Sequence, residues 1–161
     1  MINFSRVEAD IFIGSAPKIE VDVSRLKQTQ ISAVLSLQSD NDLNIHRIDW
    51  EKLQSIYQYN GINVQRFQIN DFDEVDLANK LTSPIKALND LLNHGNRVYV
   101  HCNAGICRAP ATVLGYLCHF RGVSLEDGLA YIRENRPQAN PYTGAVSKAL
   151  RQLAQERQII D

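Results

Sequence analysis

The most informative segment of the chain is Arg97-Val-Tyr-Val-His-Cys-Asn-Ala-Gly-Ile-Cys-Arg-Ala-Pro110, an apolar run that leads into a loop and then into a helix. Residues 97–101 predict a short buried strand, and helical spacing of apolar residues resumes at Arg108. A strand that feeds directly into a helix is typical of an open α/β sheet, in which ligands bind beyond the carboxyl ends of the strands. The segment therefore indicates both a fold class and the place where a functional site is expected.

The sequence on either side alternates between apolar runs of strand length and segments with helical spacing. The nearly continuous apolar run at 31–37 predicts a strand that is covered on both faces. Residues 76–94 have helical spacing, and Pro84 either kinks this segment or begins a fresh helix. The opening segment through 11–14 predicts a short strand or a hairpin that ends in a turn. By the same criteria we predict strands at 62–69 and 97–101, and helices at 22–28, 46–59, 108 onward, 124 onward and 142–159. This order indicates an α/β domain with a central, mostly parallel sheet flanked by helices.

The composition is that of one ordinary globular domain. The chain has 161 residues, with 17 Lys and Arg against 18 Asp and Glu, and a hydrophobic share of 44%. We therefore expect a single domain over residues 1–161. The near-neutral charge gives no support to nucleic-acid binding, which usually requires a basic surface. Since we find neither an apolar run long enough to cross a bilayer nor a secretory signal, we expect a cytoplasmic protein without a membrane partner.

The three cysteines of the chain are Cys102, Cys107 and Cys118. An odd, clustered set in a chain without a secretory signal does not predict a disulfide scaffold. Further Cys or His residues at the spacing of a structural zinc site are missing, so we expect no metal and no cofactor. Cys118 falls on the apolar face of a predicted helix, as a small core residue does. A reactive thiol in the loop after residue 101 remains as the chemical possibility.

The loop between the strand and the helix has the features of an anion-binding site. A loop that wraps over a helix N-terminus directs several backbone N–H groups at one point, and the helix dipole adds positive potential there. Such a nest binds a tetrahedral oxyanion such as phosphate. Gly105 provides the backbone freedom for the tight curve, and Arg108 adds a planar, charged fork for two phosphate oxygens. The N–H groups that we expect to bind the substrate belong to Asn103, Ala104, Gly105, Ile106 and Cys107.

The same surroundings favour the thiolate form of Cys102, which is a good nucleophile toward phosphorus. A displaced alkoxide leaves poorly unless it is protonated, so the reaction needs a general acid. Asp71 follows the predicted strand at 62–69, and the loops after parallel neighbouring strands lie side by side. We therefore predict Asp71 as the acid, with Asp73 as the alternative if a turn exchanges the two carboxylates. His101 is expected to fix the loop by hydrogen bonding rather than to transfer protons.

A Cys-x5-Arg motif that follows a histidine, contains a glycine and has an upstream aspartate resembles the cysteine-dependent dual-specificity phosphatases. Four segments look most like the glucan phosphatases of starch and glycogen metabolism, namely Phe4 to Gly14, Leu35-Ser-Leu-Gln38, Asn70-Asp-Phe-Asp-Glu-Val-Asp-Leu77 and His101 to Ala111. The resemblance implies a protein-tyrosine-phosphatase-like fold, a phosphocysteine intermediate on Cys102 and a phosphorylated glucan as substrate. It also implies that Asp71 is the acid and that Phe72 contacts the glucan chain. It leaves no room within residues 1–161 for a carbohydrate-binding module.

Two residues of the loop depart from the family pattern. Cys107 stands where the glucan phosphatases have glycine before the arginine, and Ala109 lacks the hydroxyl that many dual-specificity enzymes carry after it. The position of Cys107, five residues after Cys102, resembles the paired cysteines of low-molecular-weight phosphotyrosine phosphatases. Cys107 is therefore a redox candidate, able to trap an oxidised Cys102 as a reversible disulfide, although an inert filler is an equal alternative.

Other substrates and another function class stay open from the sequence. The substrate could also be a phosphotyrosine or phosphoserine/threonine protein, or a phosphoinositide. A catalytically silent module that binds a phosphorylated partner would use the same loop, as would a sulfur-transfer or arsenate-reducing enzyme. The sequence predicts no oligomeric state.

Overall fold

The computed structural model describes residues 1–160, within which five strands form one sheet. The strands are β1 (Phe4–Glu8), β2 (Ile11–Gly14), β3 (Ala33–Ser36), β4 (Asn63–Arg66) and β5 (Val98–His101). Their order across the sheet is β1-β2-β5-β3-β4. The pair β1 and β2 is antiparallel, and every other neighbouring pair is parallel. The mostly parallel α/β sheet predicted from the sequence is confirmed.

Helices cover both faces of the sheet. They are α1 (Glu20–Gln28), α2 (Asp40–Ile45), α3 (Trp50–Tyr59), α4 (Glu74–Lys80), α5 (Thr82–Asn93), α6 (Arg108–Arg121), α7 (Leu125–Asn135) and α8 (Thr143–Ile160). The segment at 76–94 divides into α4 and α5, and Pro84 lies in the first turn of the second helix, as one of the two predicted alternatives required. The predicted strand at 62–69 is correct in place but shorter.

Two features between β3 and α3 were not predicted. The helix expected over 46–59 begins at Trp50, because the Asp49 side chain accepts a hydrogen bond from the Lys52 N–H and caps the helix there. The six-residue helix α2 has a polar sequence without apolar periodicity, so its pattern gave no helical signal. It is held by a cap in which the Ser39 side chain accepts from the Asp42 N–H at 3.2 Å.

The strands alternate their side chains between two apolar clusters. Ile13, Leu35 and Val100 belong to the larger cluster, which helices α4 to α8 complete on one face. Their neighbours Phe12, Val34 and Tyr99 belong to the smaller cluster on the other face, with α1 and α3. The parallel register aligns the last residues of β2, β3, β4 and β5, so four strands end together at one edge of the sheet. The chemistry-bearing segment therefore begins at this carboxyl edge.

Candidate active site

The segment between β5 and α6, which we call the 102–108 loop, forms a tight curve at the carboxyl edge of the sheet. Gly105 within it has a φ of 70°, a left-handed conformation that side chains rarely adopt. A Cβ at this position would lie 2.5 Å from the carbonyl oxygen of Gly14 at the end of β2. Glycine is therefore required here both by the backbone conformation and by the close approach of a neighbouring strand.

Arg136, which follows α7, supports the loop from beneath. Its side chain is buried, and its Nε donates to the Gly105 carbonyl at 2.7 Å while its Nη2 donates to the Ala104 carbonyl at 2.9 Å. The same guanidinium also donates to Ser5 Oγ at 3.1 Å and to Asn3 Oδ1 at 2.8 Å. One buried arginine thereby ties the loop to the N-terminal strand of the sheet.

The remaining carbonyl groups of the loop are also bonded to the surrounding protein. The Cys102 carbonyl is 2.9 Å from His101 Nδ1, the Asn103 carbonyl accepts from the Ala16 N–H at 3.0 Å, and the Ile106 carbonyl accepts from the Asn140 N–H at 2.6 Å. Because a trans peptide directs its N–H opposite to its carbonyl, the N–H groups of residues 103–107 turn to the other side. No backbone carbonyl within residues 1–160 accepts a hydrogen bond from them. This arrangement is a nest of free donors for an oxyanion.

Arg108 lies at the start of α6, with 2% of its side chain exposed. Its Nη1 donates to Asp42 Oδ2 at 2.6 Å and to the carbonyls of Ile69 and Leu37 at 2.7 and 3.3 Å. Its Nε and Nη2 have no hydrogen-bond partner among residues 1–160, although Nη2 lies 3.3 Å from Asp71 Oδ1. One side of the guanidinium is tied to the protein, and the other offers charged donors that fit two oxygens of a phosphoryl group.

Asp42 in α2 is a site residue that the sequence analysis did not identify. Its buried Oδ2 accepts from the Ser39 N–H at 2.8 Å as well as from Arg108, and its Oδ1 accepts from Asn103 Nδ2 at 2.8 Å. Burial raises the pKa of Asp42, but the hydrogen bonds from Arg108, Ser39 and Asn103 outweigh burial and hold the pKa below its usual range. The Ser39-x-x-Asp42 spacing of a capping box was the available signal.

Asp71 and Asp73, the two candidates for the general acid, have different surroundings. The Asp71 side chain is 28% exposed, and its Oδ2 accepts from Asn103 Nδ2 at 3.2 Å. Its Oδ1 accepts from the Phe72 N–H at 3.1 Å and faces Arg108. Asp73 instead caps α4, where its Oδ1 accepts from the Asp76 N–H at 2.9 Å. The structure brings Asp71 to the 102–108 loop and places Asp73 at the start of α4 as its N-cap.

Phe72 stands beside the acid candidate in an unusual conformation. Its φ is 55°, which strains the backbone of a bulky residue, and its side chain is 88% exposed. Ile106, at the outer side of the 102–108 loop, is 40% exposed. The Phe72 backbone is strained while its exposed ring contributes little packing energy, so its position points to a role outside the core.

His101 is buried at the end of β5 next to Cys102. Burial lowers the pKa of His101 to about 4, although the hydrogen bond to the Cys102 carbonyl opposes the shift. The imidazole is therefore neutral near pH 7, and Nδ1–H donates to the Cys102 carbonyl. This geometry is that of a residue that fixes the loop.

The three cysteines are all free thiols, and they differ in burial. Cys102 is buried at the base of the loop, whereas Cys107 and Cys118 are half-buried. Burial raises the pKa of the Cys107 thiol, an effect opposed by a hydrogen bond from the backbone of Tyr142. Burial also raises the pKa of Cys118, which packs against the larger apolar cluster.

Within residues 1–160 no three Cys, His, Asp or Glu side chains are grouped so as to hold a metal ion. None of the helices in this part of the chain combines the length and apolar character that crossing a bilayer requires.

Comparisons with known proteins agree with this geometry. The chain is 30% identical over 137 residues to the amyloplastic phosphoglucan phosphatase DSP4 of Castanea sativa, covering 84% of this chain and 36% of that protein. It is 30% identical over 132 residues to the dual specificity protein phosphatase Mpk3 of Drosophila melanogaster, covering 81% of this chain and 29% of that protein. The chain thus spans about a third of the length of either relative.

A solved structure shows the same fold. The crystal structure of PTPMT1 superposes with a TM-score of 0.79 at 17% identity, covering 99% of this chain and 100% of that chain.

The model of the family described as "Dual specificity phosphatase, catalytic domain" matches residues 11–157, a range that includes the 102–108 loop, Asp42 and Asp71. The chain belongs to the dual-specificity phosphatase catalytic-domain family.

Proposed function

We propose that the chain is a cysteine-dependent phosphatase that hydrolyses phosphomonoesters through a phosphocysteine intermediate. Membership of the family supports this function, and one observation carries it. Arg108 is buried with one side tied to protein acceptors, while its Nε and Nη2 remain without partners in residues 1–160, on the loop that begins with Cys102. Buried charged donors without partners are costly, and a phosphoryl group would satisfy them.

In the first proposed step the Cys102 thiolate attacks phosphorus. The free N–H groups of residues 103–107 and the open side of Arg108 bind the phosphoryl oxygens and stabilise the charge that develops on them. The bond between phosphorus and the leaving oxygen breaks as the sulfur–phosphorus bond forms. Asp71 donates its proton to the leaving oxygen and becomes a carboxylate.

In the second proposed step the phosphocysteine is hydrolysed. The Asp71 carboxylate takes a proton from a water molecule, whose oxygen attacks phosphorus. The sulfur–phosphorus bond breaks, Cys102 returns to the thiolate and inorganic phosphate leaves. Ala109 supplies no hydroxyl to the departing sulfur, so we expect this step to limit kcat for substrates with good leaving groups.

We propose a phosphorylated glucan as the substrate. The named phosphoglucan phosphatase of Castanea sativa is a relative at 30% identity. The exposed ring of Phe72 lies directly beside Asp71 and is held outward against backbone strain. Aromatic faces pack well on the apolar faces of sugar rings, so this side chain provides a place for a glucan chain next to the reaction centre.

A phosphotyrosine or phosphoserine/threonine protein is the second candidate substrate. The equally similar Mpk3 is named as a dual specificity protein phosphatase, which favours this class. A catalytically silent phosphate-binding module is a further alternative from a different class of function.

The test compares three substrates in one assay. Phosphate release is measured from phosphorylated amylopectin, from phosphotyrosine peptides and from p-nitrophenyl phosphate, with Cys102→Ser as the inactive control. We expect phosphate release from p-nitrophenyl phosphate and a preference for amylopectin over peptides. Activity on amylopectin no higher than that on peptides would reject the glucan, and no activity in any assay would favour the silent module.

Residues 1–161 are proposed to act as one catalytic domain, because the family match and every site residue fall within a single sheet with its flanking helices. The cytoplasm is proposed as the location from the sequence alone. We propose that the reaction proceeds with protein side chains and without a cofactor. Fluorescent tagging in cells and an assay with and without a chelator test these two points.

A further inference from the structure

The side-chain amide of Asn103 makes three hydrogen bonds to protein groups, and both of its N–H donors are used. Its Nδ2 donates to Asp42 Oδ1 at 2.8 Å and to Asp71 Oδ2 at 3.2 Å. Its Oδ1 accepts from Gln38 Nε2 at 2.8 Å. The opposite orientation of the amide would set its oxygen against two carboxylates, so the contacts fix which atom is nitrogen.

The groups that hold Asn103 are themselves rigid. Gln38 is completely buried, and Asp42 is buried and fixed by Ser39 and Arg108. The backbone of Asn103 is fixed as well, because its carbonyl accepts from the Ala16 N–H at 3.0 Å. The amide is therefore a pre-organised donor that points at Asp71 from a fixed support.

Asp71 has few other contacts that could hold it in place. Its Oδ1 is 3.3 Å from Arg108 Nη2 and accepts from the N–H of Phe72, the adjacent residue in the chain. A bound phosphoryl group would take up the open side of Arg108 and compete for Nη2. The bond from Asn103 would remain, because both of its amide hydrogens are already directed at carboxylates.

We propose that Asn103 is a positioning residue that holds Asp71 over the 102–108 loop, so that the acid is in place while the phosphoryl group occupies Arg108. The inference rests on the proposed function, in which Asp71 is the general acid. The amide does not contact the reacting atoms in this arrangement, and it acts through Asp71. Its contribution should be seen where protonation of the leaving group matters.

The test compares leaving groups in Asn103→Ala. A p-nitrophenolate leaves readily without a proton, whereas an alkoxide such as that of phosphoserine requires one. We expect kcat/KM for phosphoserine to fall about tenfold or more beyond any fall in kcat/KM for p-nitrophenyl phosphate, the order of effect of one hydrogen bond to a charged group. The inhibition constant of inorganic phosphate is measured alongside to report separately on the anion site, because Asn103 also donates to Asp42, which holds Arg108. Equal losses for both substrates would show a merely structural role and overturn the inference.

Two further variants keep the outcome decisive if Asn103→Ala folds poorly. Gln38→Met removes the donor that orients the amide, and it removes an Oε1 that has no partner in residues 1–160. It should shift the preference between the two substrates in the same direction, and an unchanged preference would count against the inference. Asn96→Ala is the control, because the Asn96 side chain is likewise hydrogen-bonded to protein groups, at 2.9 and 3.0 Å, but lies before the opposite end of β5. It should leave the preference unchanged.

Asp71→Asn separates this inference from the proposed function. If Asp71→Asn leaves the ratio of phosphoserine to p-nitrophenyl phosphate activity unchanged, the assignment of the acid fails. If Asp71→Asn changes the ratio and Asn103→Ala does not, only the role of Asn103 fails. In the double variant we expect no selectivity loss beyond that of Asp71→Asn, because the amide then has no acid to position.

Discussion

Asp42 Oδ2 lies 2.6 Å from Arg108 Nη1, and both side chains are buried. The pair joins the short helix α2 to the start of α6, two elements that are far apart in the chain. Because the tied Nη1 fixes the plane of the guanidinium, the direction of its open side is set before any phosphate binds. The carboxylate thereby prepares Arg108 for the proposed reaction.

Asp42→Asn should weaken both stability and phosphate binding. Removal of one partner of a buried ion pair leaves an uncompensated charge, so we expect the free energy of unfolding to fall by about 3 kcal/mol. The inhibition constant of inorganic phosphate should rise about tenfold, because Arg108 is no longer held in one orientation. Urea denaturation and inhibition assays measure the two effects. Asp49→Asn is the control that should change neither stability nor phosphate inhibition, because Asp49 is an exposed N-cap residue and Asp and Asn are both favoured at that position.

Stability should depend on pH through His101. Its pKa is about 4 in the folded protein and 6.5 when exposed, so between these values only the unfolded chain binds the proton. The stabilisation is fully present above about pH 6.5 and is lost as the pH falls to about 4, by about 3 kcal/mol. Burial lowers the pKa of His119 as well, and that residue adds a contribution of the same sign.

Denaturation curves at pH 7, 5.5 and 4.5 check this dependence. His101→Gln should flatten the curve over this range, and His119→Gln should flatten it less. Asp42 affects stability at lower pH. Because its pKa is lowered in the folded protein, it stabilises the fold above about pH 3.8, and this contribution is lost as the pH falls further. A His101→Gln protein with the wild-type slope would contradict the assignment.

Phe72→Asn should increase stability while it decreases glucan activity. The substitution relieves the strain of a φ of 55° and loses no packing, because the ring is 88% exposed, so we expect a gain of about 1 kcal/mol. Hydrolysis of phosphorylated amylopectin should fall several-fold relative to p-nitrophenyl phosphate. Tyr59→Asn is matched for exposure, at 88%, and should keep the substrate ratio. A lower melting temperature for Phe72→Asn would argue against strain at this position.

Mild peroxide should link Cys102 and Cys107. The Cys102 thiolate displaces hydroxide from peroxide and becomes a sulfenic acid, and the Cys107 sulfur then attacks it, forms the disulfide and releases hydroxide. The raised pKa of Cys107 predicts a slow second reaction that accelerates above neutral pH. Mass spectrometry of peptides should find a disulfide between residues 102 and 107 that dithiothreitol reduces. In Cys107→Ser the same treatment should oxidise Cys102 to a sulfinic acid, so the loss of activity should be irreversible. Sulfinic acid without the link in the wild-type chain would end the hypothesis.

The parts of the molecule that the sequence predicted are those encoded in contiguous patterns. The apolar run before His101 and the order of Cys102, Gly105 and Arg108 placed the loop correctly at the end of a central strand. Asp42 and Gln38 were not predicted, because they reach the loop only through tertiary packing across 61 or more positions. The helix that carries Asp42 owes its existence to a cap and a buried ion pair, which hydrophobic periodicity does not report.

The carbonyl groups of the 102–108 loop accept hydrogen bonds from Ala16 beyond β2, from Arg136 after α7 and from Asn140 before α8, and Arg136 in turn donates to Asn3 before β1. An anion receptor assembled from such distant contributors cannot persist in a fragment or in a partly open chain. Catalytic activity should therefore be lost over the same range of denaturant concentration as the global unfolding transition. A substitution at Asn3 or Asn140 should also be able to abolish activity, although neither residue belongs to the loop.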